Sequence, residues 1–162
     1  MAEGIAEVVF KGLLGQFPFQ PTAGQQEVIK RLSNFIARSS SGDTYLLKGY
    51  AGTGKTTLVS ALVKTLPKAG AKAILMAPPG RAAKVMSVYS GRKAMTIHRR
   101  IYRMQVVDGG GYKITLGPNQ QSNTFFIVDE ASMISEAGGN EGFRDGRNLL
   151  KRSEEHTSEL QS

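Results

Sequence analysis

The fold of this chain is decided by the stretch Gly49-Tyr50-Ala51-Gly52-Thr53-Gly54-Lys55-Thr56. It fits the pattern G-x-x-x-x-G-K-[ST] at every fixed position. A short apolar run over residues 44–48 precedes it, and apolar side chains at Leu58, Leu62 and Val63 follow it. These flanks predict a strand before the glycines and a helix after them. Such glycines let backbone N–H groups converge on phosphate oxygens at a helix N-terminus, so we expect a phosphate-binding loop.

The residue types of this loop suit a nucleotide with its metal ion. Lys55 would reach the terminal phosphates, and the Thr56 hydroxyl would ligate Mg²⁺. The alternative is a glycine-rich turn that fits the pattern by chance, and the strand and helix on either side disfavour it. The predicted nucleotide-binding residues of the loop are Gly49, Gly52, Thr53, Gly54, Lys55, Thr56 and Thr57.

Charge is distributed unevenly along the 162 residues, which are enough for one domain with its own core. Lysine and arginine number 21 against 13 acidic residues, a formal charge of +8. Between Asp43 and Asp108 there is no acidic residue, although the same segment carries twelve lysines and arginines. This pattern favours a nucleic acid as partner. The alternative is a set of solvated helix faces plus one phosphate-binding lysine.

Several classes of protein are disfavoured by what the sequence lacks. The chain has no cysteine, so neither a disulfide nor a thiolate metal site is expected. Glu3 and Glu7 lie where a signal peptide would be, and no long apolar core follows them. No stretch reaches the length of a membrane span. We therefore expect a cytoplasmic protein with no membrane partner.

The segment before the loop predicts two helices. Apolar positions from Ile5 to Leu14 suit a short amphipathic helix or a loosely docked arm, and the prolines at 18 and 21 end it. The next helix opens at Thr22 and continues to the break at 39–42. Gln25 has two interpretations: it forms a capping box with Thr22, or its amide pairs with both edges of an adenine. The local sequence favours the cap.

After the loop helix, which Pro67 ends, strands and basic helices alternate. Residues 72–77 read as a buried strand, 81–89 as a helix, and 96–103 as a second, cationic helix with Thr96 as N-cap. Arg81 begins the first of these helices, where a nucleic acid strand could lie over the carboxyl ends of the sheet. His98 has no second histidine, cysteine or acid at metal-ligand spacing, which favours a structural role.

The last readable segment is a strand that ends in two acids. Glycine-rich residues 105–123 predict a hairpin insertion, with β-like runs at 104–107 and 112–116. The apolar run 124–128 then predicts a central parallel strand that delivers Asp129 and Glu130 to its C-terminal end. Asp129 would bind Mg²⁺ through water, and Glu130 would orient and deprotonate the attacking water. An acidic pair can also cap a helix, but here it accompanies the Lys55 loop.

Taken together, these motifs resemble the N-terminal part of the first motor domain of superfamily 1B DNA helicases of the RecD-like group. The resemblance implies ATP and Mg²⁺ as cofactors and 5′ to 3′ translocation along single-stranded DNA. It also implies that Gln25 reads adenine and that DNA is contacted by Pro78, Arg81, Lys84, Thr96, His98 and Arg99. The matching stretches, in family order, are Pro21-Thr22-x-x-Gln25 (the adenine-reading Q motif), 49–57 (motif I), 77–83 (motif Ia), 96–99, and 128–133 (motif II).

Two departures from this family matter. Pro79 stands where the family usually has threonine, which removes a hydroxyl and an N–H that could touch DNA phosphate. The glutamine-bearing motif III, the second motor domain and its γ-phosphate arginines are absent from the sequence. Since an arginine finger is worth about 10³ to 10⁵ in turnover, we expect weak ATP binding, slow hydrolysis and no unwinding by this chain alone. Catalysis would rest on Lys55 and Glu130.

The predicted architecture is α/β: a parallel RecA-like P-loop sheet with helices on both faces, incomplete at its C-terminal side. We expect an N-terminal arm over 1–21 and a partial motor domain 1A over 22–151, with the hairpin inserted near 104–123. Residues 152–162 resemble one reading frame of a sequencing adapter and are treated as a non-native tail, the alternative being a natural polar C-terminus. The rival functions are a P-loop phosphotransferase or nucleotide kinase, and a non-catalytic DNA-binding fragment.

Overall fold

A computed structural model of the chain describes residues 2–78, 80–107 and 109–134. The proposed tail at 152–162 and the departure at Pro79 lie outside these residues. Two 3₁₀ turns occur at Leu66–Ala69 and Ala131–Met133. The helices are α1 Ala2–Gln16, α2 Ala23–Arg38, α3 Lys55–Thr65, α4 Gly80–Ser90 and α5 Ile97–Ile101. The strands are β1 Lys72–Ala77, β2 Ala94–Thr96, β3 Tyr102–Val107, β4 Gly111–Leu116 and β5 Thr124–Val128.

The larger sheet has the strand order β2-β1-β5. β1 and β2 are parallel, with Ala77 opposite Thr96. β5 runs the same way beside β1, because Lys72 N–H donates to the Asn123 carbonyl at 2.9 Å and Asp129 N–H donates to the Met76 carbonyl at 3.0 Å. The predicted parallel α/β sheet is confirmed. Among the described strands, however, β1 is the middle one. β5, predicted to be central, lies at an edge, and its side chains are half-buried except for the exposed Phe126.

The strand predicted over residues 44–48 is not formed, because these residues belong to neither of the two sheets. Their side chains still alternate as in a strand: Tyr45 and Leu47 are half-buried against the core, and Leu46 is 67% exposed. The centroid of the Phe35 ring lies 5.3 Å from that of Tyr45 and 6.5 Å from that of Phe125. The apolar pattern therefore gave the burial correctly, but a strand also needs a backbone partner, which a local pattern does not contain.

The chain folds into two compact units. The first holds the chain up to Ile74 together with Val88–Arg92 and Asn123–Ile127. Helices α1, α2 and α3 form its core, with Val9, Leu13 and Ile29 wholly buried. This burial excludes the loosely docked arm as a description of α1. α3 ends at Thr65, before Pro67 as predicted.

The first unit also contains a close approach between α1 and α3. A Cβ placed on Gly12 would lie 2.6 Å from the methyl group of Thr65. Thr65 is completely buried, and among the described residues its hydroxyl has no hydrogen-bond partner. Glycine at position 12 is therefore a packing requirement of these two helices.

Of the described residues, the second unit holds Leu75–Ser87, Lys93–Ser122 and those from Val128 to Ile134. It contains the predicted hairpin, in which β3 and β4 pair antiparallel with Met104 opposite Ile114 and Val106 opposite Tyr112. β3 begins at Tyr102, so α5 stops at Ile101 and is shorter than the predicted 96–103 helix. β2 was not predicted, because three residues are too few to show a strand period.

One face of the hairpin is wholly apolar, and we call it the hairpin face. Strand alternation and the pairing register place six side chains on it. Val106 is 75% exposed and Met104 69%. The members of the hairpin face are Tyr102, Met104, Val106, Tyr112, Ile114 and Leu116. No helix among the described residues is both long and apolar enough to cross a membrane.

Candidate nucleotide-binding site

The loop before α3 depends on glycine at three positions. Gly52 and Gly54 have φ values of 79° and 89°, in the left-handed region that side chains with a Cβ rarely adopt. A Cβ on Gly54 would also lie 2.7 Å from the amide nitrogen of Gln25, and one on Gly49 would lie 2.7 Å from the Thr53 hydroxyl. At both glycines that the sequence pattern fixes, a Cβ would therefore require a neighbouring side chain, Gln25 or Thr53, to move.

The loop is folded around the lysine. Lys55 Nζ donates to the carbonyls of Gly49 at 2.6 Å and Tyr50 at 2.7 Å. The Thr53 hydroxyl donates to the same Tyr50 carbonyl at 2.8 Å. The Tyr50 ring, by contrast, is 90% exposed. An ammonium group has three N–H donors, so these two bonds leave one for an anion.

The N-terminus of α3 supplies further donors. Leu58 N–H donates to the Gly54 carbonyl at 2.9 Å, which is the first bond of the helix, so the N–H groups of Lys55, Thr56 and Thr57 have no acceptor inside it. Gly54, the N-cap residue, makes no side-chain cap bond. Unsatisfied N–H groups at the positive end of a helix dipole bind anions, and phosphate suits them. The residues present therefore fit a nucleotide phosphate.

Gln25 connects this loop to α2. Its amide oxygen accepts from Thr22 N–H at 3.0 Å, and its own backbone N–H donates to the Thr22 hydroxyl at 3.3 Å, so the predicted capping box is confirmed. Its amide nitrogen donates to the Thr53 carbonyl at 3.2 Å. The adenine-reading role stays a prediction. The bond to the loop was not predicted.

The acidic pair directly follows β5. Asp129 is half-buried, and its carboxylate accepts the Glu130 N–H at 2.9 Å. Glu130 is exposed and has φ 55°, a left-handed backbone that is uncommon outside glycine. No group of three or more histidine, cysteine, aspartate or glutamate side chains suited to a metal occurs in the described part of the chain. That Thr56 and Asp129 share one magnesium ion stays a prediction.

The predicted DNA-contacting residues cluster within the second unit. α4 and α5 begin just after the paired ends of β1 and β2, where a Cβ on Gly80 would lie 3.9 Å from the Thr96 methyl. The Thr96 hydroxyl accepts from Arg99 N–H at 3.2 Å, as predicted for an N-cap. Arg81, Lys84, His98 and Arg99 are exposed, whereas Pro78 and Thr96 are half-buried.

His98 has an aromatic neighbour that the sequence pattern did not reveal. Its ring stacks on that of Tyr102, with centroids 5.7 Å apart and planes 28° from parallel. Tyr102 lies one residue past the end of α5, at the start of β3, so helical spacing does not account for this contact. Whether His98 is structural or contacts DNA stays a prediction.

A loop built on glycines and closed around a lysine, at the start of a helix in a parallel α/β fold, defines a P-loop nucleotide-binding domain. The sequence profile of the family described as an AAA domain matches residues 20–145, and the chain belongs to this family. No solved structure matches the chain.

Two curated relatives are DNA helicases. The chain is 45% identical over 78 residues to the ATP-dependent DNA helicase dda of Enterobacteria phage T4, covering 48% of this chain and 17% of that protein. It is 31% identical over 98 residues to the ATP-dependent RecD2 DNA helicase of Deinococcus radiodurans, covering 57% of this chain and 12% of that protein. The matches span less than a fifth of either relative. They confirm the resemblance to RecD-like DNA helicases.

Proposed function

We propose that this chain is the ATP-binding and hydrolysing part of an ATP-dependent DNA helicase that acts on single-stranded DNA. The observation that carries the proposal is Lys55, held by two loop carbonyls beside N–H groups of α3 that have no acceptor inside the helix. The activity named for the two relatives and the family assignment support the same function.

The residues divide the chemistry as follows. Lys55 and the N–H groups at the start of α3 hold and orient the phosphates, together with Thr57. The Thr56 hydroxyl and, through water, Asp129 would hold Mg²⁺, which when bound neutralises phosphate charge. Glu130 accepts a proton from the attacking water, and its exposed side chain is accessible to solvent for that role.

The exposed cations Arg81, Lys84 and Arg99, on the helices that follow the paired ends of β1 and β2, bind the backbone of single-stranded DNA. The 5′ to 3′ direction and the cytoplasmic location are carried over as predictions. Weak ATP binding and no unwinding of duplex DNA by the 162-residue chain alone are likewise carried over as predictions.

Binding of MgATP to the 162-residue chain, measured by calorimetry, tests the proposal. Lys55→Ala removes a charged donor and is expected to weaken binding by about 10- to 100-fold, since a hydrogen bond to a charged group is worth about 1.5 to 3 kcal/mol. Lys64→Ala, which changes an exposed lysine in the last turn of the same helix, is the matched control and should bind as wild type. Glu130→Gln should keep binding and lose hydrolysis.

Two results would replace this function with a rival one. Phosphoryl transfer to a small phosphorylated acceptor, with no effect of single-stranded DNA on ATP turnover, would indicate a phosphotransferase. Salt-sensitive binding to single strands, together with ATP retention that Lys55→Ala leaves unchanged, would indicate a non-catalytic DNA-binding fragment.

A further inference from the structure

Helix α4 is apolar on two opposite sides. Ala83 and Met86 are buried on its inner side. On its outer side Val85 is 56% exposed and Val88 79%. A helix that is apolar all round is normally buried all round, so the outer valines indicate that another molecule covers this side of α4.

The outer valines do little to stabilise α4 by themselves. A β-branched side chain loses χ1 freedom in a helix, which makes valine a weaker helix former than alanine, lysine or glutamate. An exposed valine also gains little from burial. Val85 and Val88 therefore contribute their full hydrophobic free energy only when an apolar surface covers them.

Each outer valine has a cation one helical turn before it. Arg81 precedes Val85 by four residues, and Lys84 precedes Val88 by four, a spacing that places both members of each pair on one side of a helix. All four side chains are exposed. We call them the outer face of α4, which is about 10 Å long at roughly 1.5 Å per residue.

The chemistry of this face favours a protein partner over a nucleic acid. Phosphates suit Arg81 and Lys84, but an aliphatic valine has no ring on which a base could stack and no donor for a phosphate. A peptide that carries both carboxylates and apolar side chains satisfies the whole face. The sequence has no acidic residue between positions 43 and 108, so no acid nearby in the chain neutralises these cations.

We propose that the outer face of α4 docks an acidic peptide segment of a partner protein, whose apolar side chains cover Val85 and Val88 while its carboxylates pair with Arg81 and Lys84. Amphipathic segments present apolar anchors three and four residues apart, which matches the spacing of the two valines. This inference goes beyond the proposed function and does not depend on the nucleotide site. Arg81 and Lys84 serve DNA and the peptide in turn.

The test is binding of a short fluorescein-labelled peptide of leucine and glutamate, with leucines three and four positions apart, to the 162-residue chain, followed by fluorescence anisotropy. Two control peptides have serine in place of every leucine, or lysine in place of every glutamate. We expect the leucine–glutamate peptide to bind and each control to bind at least about 10-fold more weakly, because the first lacks the apolar contact and the second repels the cations.

Substitutions on α4 separate apolar docking from charge attraction. Val85→Ser and Val88→Ser should each raise the dissociation constant of the peptide about 10-fold, the loss expected from one buried valine. Serine and valine are similar helix formers, so circular dichroism should show α4 intact. The matched control is Val8→Ser, which removes an exposed valine from α1 and should bind the peptide as wild type. The affinity for single-stranded oligothymidine should stay at its wild-type value in all three variants.

Each other occupant of the face gives a different result. If the serine-containing peptide binds as well as the original, or if wild type binds neither, apolar docking is excluded. If Val88→Ser weakens oligothymidine binding as much as peptide binding, DNA covers the face and the proposal fails. If the two α4 variants reduce self-association in sedimentation and leave peptide binding unchanged, the face joins two copies of the chain, and the proposal fails as well. Failure of wild type to bind ATP, by contrast, would refute the nucleotide site alone.

Discussion

Replacing Gly12 by alanine tests whether α1 is packed as tightly on α3 as the structure shows. The new Cβ would lie 2.6 Å from the Thr65 methyl, 3.3 Å from its hydroxyl and 3.5 Å from its Cβ. Thr65 is β-branched and fully buried, so it has little room to move aside. Gly15, one turn later in the same helix, has open space around its Cβ position and provides the matched control.

The magnitude follows from two opposing effects. Alanine favours a helix over glycine by up to about 1 kcal/mol, and this gain applies at both positions. Overpacking a well-filled core costs about 1 to 3 kcal/mol, and only Gly12→Ala incurs it. We therefore expect the free energy of unfolding of Gly12→Ala to lie about 1 to 3 kcal/mol below that of Gly15→Ala.

Urea unfolding of the 162-residue chain, followed by far-ultraviolet circular dichroism, measures this difference. Thr65→Ser removes the methyl group in the way, and among the described residues the Thr65 hydroxyl has no bond to lose. In the Thr65→Ser variant, Gly12→Ala should lower the free energy of unfolding by less than it does in wild type, and a double-mutant cycle measures this difference. Equal stability of the two alanine variants would show that the helices are not in contact at Gly12.

Three other predictions concern the loop, α2 and the hairpin. Gly54→Ala should weaken ATP binding more than Gly52→Ala. Both incur the cost of a left-handed backbone, about 1 to 2 kcal/mol, but only at position 54 would the new Cβ also displace the Gln25 amide. Equal losses in calorimetry would refute this. Arg31, through its 2.7 Å hydrogen bond, lowers the pKa of Glu27 from 4.5. The extra stability of wild type over Glu27→Gln should therefore be complete above about pH 5 and disappear as the pH falls through the lowered pKa of Glu27. A difference in melting temperature between the two proteins that does not change with pH would contradict this. The exposed apolar hairpin face is expected to promote self-association of the chain. Val106→Lys should therefore lower light scattering at equal concentration, and unchanged scattering would exclude that role for the face.

Much of the fold could be predicted because its signals are local. The apolar runs that became β1 and β5 have the predicted bounds, 72–77 and 124–128. The capping box placed the start of α2, and Thr96 the start of α5. Each of these signals lies within a few residues of the element that it determines.

What the sequence could not give is the pairing of distant segments. Residues 44–48 carry the side-chain pattern of a strand, yet strand formation depends on a partner elsewhere in the chain. In the candidate site, the loop was predicted from its glycines and lysine, but the bond from Gln25 to Thr53 joins residues 28 positions apart and has no local signature. β2 is likewise defined by its parallel pairing with β1, and its three residues carry no strand pattern of their own.

The exposed ring of Tyr50 makes the loop unusually easy to observe. The chain contains no tryptophan, and the contacts at position 50 are made by the backbone carbonyl, while the side chain is 90% exposed. Tyr50→Trp would therefore introduce a single indole emitter at the mouth of the phosphate loop with little disturbance of packing. Fluorescence could then follow ligand arrival in real time, with unlabelled nucleotides and without a coupled enzyme assay.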